Sequence, residues 1–242
     1  MALTGTDRGT GTHQTSASSF TLNPGSNFTA GALAVLCIAA DNSSTGGSTN
    51  NISSVTDSLG NLWRARQRPI FDNGSASAGV QGGIFTTDQS AGTLQTGTTV
   101  TVSFGAATVA KTWTLMEVAA AAGSQALVLT GANSAGSSTP TVTTGTIEVG
   151  DMVIAMVAME AGTTQTLTSD ADTTNGTWSA AQYNEIGSSS SGSAIGSQRK
   201  VQTTTASTQT FNPTLGLPCD LICSWISVRE IAPKKLALAG VG

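Results

Sequence analysis

The sequence predicts an all-β protein built as two tandem β-sandwich units, jelly-roll-like and related by an internal repeat. Three observations carry that prediction. Thr and Val populate the periodic segments and turn residues recur at short intervals, while helix-favouring runs of Glu, Lys, Leu and Arg are nearly absent. Ser, Thr and Asn fill most polar positions: 10% of the 242 residues are charged, 5% are aromatic, and 28 are glycine. Segments of the first half also recur, in order, in the second. With 38% hydrophobic residues the chain has enough periodic apolar sequence to offset the entropy of ordering, so it folds.

The elements follow in chain order. "GALAVLCIAAD" (31–41) matches "GDMVIAMVAME" (150–160): a glycine, a continuous apolar run and an acid. Each run predicts a buried strand, at 33–39 and at 152–159. "DSLGNLWRARQ" (57–67) matches "DTTNGTWSAAQ" (172–182), aligning Asp57 with Asp172 and Trp63 with Trp178. Its Gly/Asn pair supplies the positive φ of a tight hairpin turn, which predicts a strand-turn-strand element ending in the Trp strand. "TVTVSF" (99–104) and "STQTF" (207–211) read as alternating strands. "KTWTLMEVA", from Lys111, matches "CSWISVREI", from Cys223, as a closing strand. Alternation puts Trp113, Leu115 and Glu117 on one face, and that mixed polarity predicts a half-covered strand.

All four tryptophans, Trp63, Trp113, Trp178 and Trp225, fall in register in this repeat, which predicts core positions for them. The units span 15–120 and 124–232, placed in series through the link "AAAAGSQAL" (119–127). Outside them lie an N-terminal arm, 1–14, and a C-terminal tail, 233–242. Neither can pack a core alone, so both are expected to be held by a neighbouring subunit.

Composition excludes several function classes. A net charge of −4 gives no electrostatic footprint for nucleic acid. No apolar run approaches the length that spans a bilayer, and the sequence "MALTGTDRGT" lacks the pattern of a secretory signal, so synthesis in a cytoplasm is expected. Cys37, Cys219 and Cys223 each adjoin apolar runs and read as buried small hydrophobes rather than a disulfide framework or a metal site. His13 is the only histidine and no G-x-S-x-G elbow occurs, which removes the usual hydrolytic triads. Carboxylate pairs are available, Asp170 with Asp172 and Glu117 with Glu160, but with 14 acids scattered over the chain surface turns are the favoured reading. "DADTTNG", from Asp170, resembles the start of a calcium loop, yet its glycine is one position late and Ala181 stands where the bidentate acid belongs. The Asn-x-Ser/Thr sequons at Asn27, Asn42, Asn51, Asn73 and Asn175 follow from composition. The sequence therefore predicts no enzyme activity, no cofactor and no metal.

One feature differs between the halves. In "WRARQRP", Arg64, Arg66 and Arg68 alternate with Trp63, Ala65 and Gln67, so an unbroken strand presents the arginines on one face. The second half has Ser179, Ala181 and Tyr183 there, so the fold does not require them. They read either as a contact for an acidic partner or as charges that guard a sheet edge.

The apolar strand, then "SVTDSLGNLW", then "TVTVSF" ahead of a Trp strand resembles the tandem Gly/Ser/Thr-rich β-sandwich proteins of tailed-bacteriophage virions, over about residues 20–232. The resemblance implies a non-enzymatic virion component, decorating or cementing a capsid lattice or associated with the tail. Its implied partners are the major capsid protein or other virion subunits and further copies of itself. It transfers no active-site residue. The alternative is a surface carbohydrate-binding or adhesin module, for which Tyr183 is the ring expected to be exposed.

Overall fold

The computed structural model describes residues 3–41, 49–72, 79–119, 139–188 and 191–230, and the backbone path of 125–137. The described residues contain no α-helix. The first half comprises β1 (Thr4–His13), β2 (Ala17–Leu22), β3 (Leu33–Asp41), β4 (Ile52–Asp57), β5 (Arg64–Gln67), β6 (Ile70–Phe71), β7 (Val80–Thr87), β8 (Val100–Thr108) and β9 (Lys111–Ala119). The second comprises β10 (Gln125–Ser137), β11 (Val142–Thr143), β12 (Met152–Met159), β13 (Leu167–Thr168), β14 (Gln182–Ile186), β15 (Ser193–Val201), β16 (Thr210–Phe211), β17 (Thr214–Leu215) and β18 (Cys219–Glu230).

Two large antiparallel sheets dominate. One runs β1-β9-β3-β7-β5, with β6 also on β7; the other runs β10-β18-β12-β15-β14. A three-stranded sheet, β2-β8-β4, covers the first, and the ribbons β11-β16 and β13-β17 cover the second.

Side-chain alternation explains the layering. On β3, Ala34, Leu36, Ile38 and Ala40 face the three-stranded sheet, where Phe20, Val102 and Phe104 meet them. Leu33, Val35, Cys37 and Ala39 face the other way, onto Met152, Ile154, Met156 and Ala158 of β12. The opposite face of β12, with Val153, Ala155 and Val157, packs on Val142, Phe211 and Leu215 of the ribbons. Both apolar runs are thus continuous because their strands are covered on both faces. The halves are not arranged in series as the sequence suggested. Their large sheets meet face to face and share a middle core, giving four layers.

Four further expectations are corrected. β9 is buried on both sides rather than half-covered: Trp113 and Leu115 face the outer core, while Met116 and Val118 enter the middle one. The Gly60/Asn61 turn is not a hairpin turn, because β4 pairs with β8 in one sheet and β5 with β7 in another. The Asn175/Gly176 turn lies between β13 and β14, which likewise belong to different sheets. Gly60 (φ 82°), Asn175 (φ 58°) and Gly176 (φ 131°) do adopt positive φ, so the local conformation was read correctly and its use was not.

Residues 4–13, expected in an arm outside the fold, form β1 and pair with β9 from Thr4↔Ala119 to His13↔Lys111. The tail, 233–242, lies outside the described residues. Finally, the Trp113–Trp225 alignment slips by two positions. Cys37 opposes Thr114 whereas Met156, its counterpart in the 31–41/150–160 alignment, opposes Ser224, which brings Trp225 level with Leu115. A slip of two keeps both tryptophans on the core-facing side.

Candidate partner interface

The arginine strand is short and irregular. β5 pairs Arg64 with Thr86 and Ala65 with Phe85, then jumps to Gln67 with Ile84, so a bulge at Arg66 breaks the alternation that would align three arginines. Arg66 donates from Nε to Thr86 Oγ1 (2.8 Å), and Arg68 donates to the Asn50 carbonyl (2.8 Å). Burial, then the neighbouring Arg64 charge, lowers the pKa of Arg66, while Asp88 opposes the shift. Arg64 is exposed. The expected common face therefore breaks up: Arg64 and Arg68 are exposed and Arg66 is half-buried, with Arg66 bracing a neighbouring side chain and Arg68 a neighbouring carbonyl.

All four tryptophans are buried, at 8% exposure for Trp63 and Trp113 and 4% for Trp178 and Trp225. The two aligned aspartates serve them differently. Asp57 accepts the Trp63 indole N–H on Oδ2 (2.7 Å) and the backbone N–H groups of Leu59 (2.9 Å) and Asn61 (3.2 Å) on Oδ1. One carboxylate thereby shapes the corner between two sheets and anchors the ring that fills it. Asp172 instead pairs with Lys200 Nζ (2.7 Å), and that ammonium lies 5.6 Å from the centre of the Trp178 ring. Burial works against the Asp172 carboxylate, but Lys200 and the Thr174 N–H hold its pKa at about 2.

The proposed carboxylate pairs do not work as pairs. Asp170 accepts backbone N–H groups from Asp172 and Asn212 (both 2.8 Å), which closes its loop. Glu117 is 2% exposed and accepts from Arg8 Nη2 (2.8 Å) and the Thr29 N–H (2.7 Å), in a separate cluster from Glu160. Among the described residues no group of three or more His, Cys, Asp or Glu is arranged to hold a metal ion.

Sequence reading missed two buried lysines and an acidic seam. Lys200 is one lysine. Lys111, the other, donates to the carbonyls of Thr15 (2.9 Å), Thr108 and Val109 (3.3 Å), and burial lowers its pKa to about 8. The seam joins the halves. Glu160, beyond β12, accepts the Gly79 N–H from the segment before β7, and it feels the charges of Asp220 on β18 and Asp41 at the end of β3. Burial first, then those two acids, raises its pKa to about 7 against the opposing Gly79 bond. Asp41 and Glu160 occupy matching ends of the repeated apolar strands, so the alignment itself held the signal for this cluster.

The remaining candidates are structural by position. Burial pushes the Cys37 and Cys223 thiols up to about 12 and Cys219 up to about 11, leaving almost no thiolate at neutral pH. Tyr183 packs against the outer core of the second half, and its hydroxyl bonds the Gln165 carbonyl (2.9 Å) and Glu185. It is not the open stacking ring a glycan site needs. Comparison with protein-family models, curated proteins and solved structures returned no match.

Proposed function

We propose that this chain is a non-enzymatic structural component of a tailed-phage-type virion, made in the host cytoplasm and decorating or cementing the capsid lattice through protein-protein contacts. In this reading it is two tandem jelly-roll-like sandwiches. The strand orders β1-β9-β3-β7 and β2-β8-β4 support a jelly roll in the first unit, and β10-β18-β12-β15-β14 repeats the larger order in the second.

The observation that carries the proposal is how the fold pairs its charges. Arg8–Glu117 joins two strands, Lys200 ties β15 to Asp172 in the loop before β14, Arg229 ties β18 to Asp151 just ahead of β12, Arg199–Asp7 joins the two large sheets, and Lys111 ties three carbonyls. Ionisable groups used to tie strands and loops together suit a rigid building block better than a reactive centre. The test is quantitative mass spectrometry of purified particles from the source. A simple lattice ratio to the major shell protein supports capsid decoration, a handful of copies moves the chain to the tail, and absence from particles overturns the proposal.

A further inference from the structure

We infer that this chain binds a second copy of itself by docking the turn that bears Leu59, Leu62 and Arg64 on one copy against the turn that bears Glu148 and Val149 on the next. The inference goes beyond the virion assignment and stands on two exposed surfaces rather than on that reading.

The first surface is the corner built by Asp57 and Trp63. Leu62 and Arg64 are exposed on either side of the buried Trp63, and Leu59 and Leu62 are 40% and 58% exposed. Hydrogen bonds hold this corner in place. Asp57 accepts the Leu59 and Asn61 N–H groups. The Asn61 side chain in turn donates to the Gly92 carbonyl (2.9 Å) and accepts the Ala91 and Gly92 N–H groups (2.9 and 3.1 Å). The aligned corner of the second half carries Thr174, Thr177 and Ser179 at these positions, so the fold itself requires neither leucine nor arginine there.

The second surface is the turn ahead of β12. Val149 is 52% exposed, and Glu148 beside it is exposed. Asp151 closes the turn by donating its N–H to the Glu148 carbonyl (3.1 Å) and accepting the Glu148 N–H (3.3 Å). Gly150 donates to the Gln202 carbonyl (2.8 Å). Two turns already held in this way lose little freedom on docking.

Charge selects the occupant. Among the described residues, neither the Arg64 nor the Glu148 side chain has a hydrogen bond or an ion pair, whereas the other described Lys, Arg, Asp and Glu side chains do. Arg229 feels the Glu148 charge but directs its own hydrogen bonds to Asp151 (both 2.7 Å). Covering Leu59 and Leu62 desolvates Arg64 as well, so the covering surface has to bring a carboxylate. Covering Val149 calls for a cation beside it for the same reason. Each turn supplies what the other needs, and a second copy brings both. The contact joins unlike surfaces, so copies add head to tail in a ring or a row.

The test uses the full chain in sedimentation velocity across a concentration series. The wild type is expected to self-associate, and less so as salt is raised. Arg64→Glu and Glu148→Arg should each weaken association by about tenfold or more, because each sets like charges against one another. The double variant carrying both reversals should restore it, as should mixing the two single variants. Leu59→Thr with Leu62→Thr, the residues found in the second half, should also weaken it by about tenfold or more. Unchanged tryptophan fluorescence in each variant establishes that it remains folded. A wild-type monomer at all concentrations overturns the proposal, as does association that survives both single reversals or that the double variant fails to restore. Loss of association on the leucine substitutions with none on Glu148→Arg also overturns it, and assigns the leucines to a different surface. Because the readout needs no particle, its failure is separable from failure of the virion assignment.

Discussion

Replacing Glu160 with Gln should stabilise the protein above neutral pH and do little at pH 5. In the fold the carboxyl has a pKa of about 7, against an ordinary 4.5, because it is part-buried beside Asp220 and Asp41. The folded chain therefore holds a proton that the unfolded chain releases. Stability from this group is complete below pH 4.5, falls as pH rises towards 7, and is absent above. The displacement from 4.5 to about 7 corresponds at most to about 3 kcal/mol. Solvent screening of this half-exposed group reduces it to about 1–2 kcal/mol. A glutamine amide can accept the Gly79 N–H and donate to Asp220, reproducing the protonated acid without its titration. At pH 8 the variant should therefore melt about 2–8 °C higher, given about 2–4 °C per kcal/mol for a chain of this size. Thermal unfolding at pH 5 and pH 8 provides the assay. Equal stability at pH 8, or the same gain at pH 5, would refute the reasoning.

Other perturbations probe separate parts of the fold. Asp57→Ala removes the acceptor of a buried indole N–H and two turn N–H groups, and should cost about 2–4 kcal/mol in denaturant unfolding. Trp63→Phe should cost less, because Asp57 still accepts the Leu59 and Asn61 N–H groups. Ile154→Ala, in the middle core, should cost about 2–5 kcal/mol and lower a single calorimetric transition for both halves; a split into two transitions would show that they unfold independently. A thiol reagent at pH 8 should leave Cys37 and Cys223 unmodified in the native protein and modify them after denaturation, and rapid native labelling of either would contradict its burial.

How much was legible in the sequence depends on the range over which each signal acts. The continuous runs at 33–39 and 152–159 reported burial on both faces, and strands lie there. They did not report what provides the second cover, because two apolar faces look alike whether a loop or the other half's sheet lies above them. The Gly60/Asn61 and Asn175/Gly176 pairs encoded positive φ but not the sheets to which the flanking strands belong, since strand pairing is long-range. The single bulge at Arg66 defeated the arginine-face reading, because period-2 alternation assumes an unbroken ladder. The pairing of β1 with β9 was hidden in a Thr- and Gly-rich segment with no apolar alternation. Its long ladder, and the Arg8–Glu117 ion pair within it, come from residues 98 to 115 positions apart.

The face-to-face meeting of the two large sheets is tested most directly by a double-mutant cycle on Thr114 of β9 and Ser197 of β15. Their hydroxyls lie 2.7 Å apart in the middle layer, on strands of different sheets. Thr114→Val and Ser197→Ala should each destabilise by about 1–2 kcal/mol, because each leaves a buried hydroxyl without its partner. The double variant should cost about 1 kcal/mol less than the two together. Strict additivity would mean that these hydroxyls do not meet, and that the halves are not packed sheet against sheet.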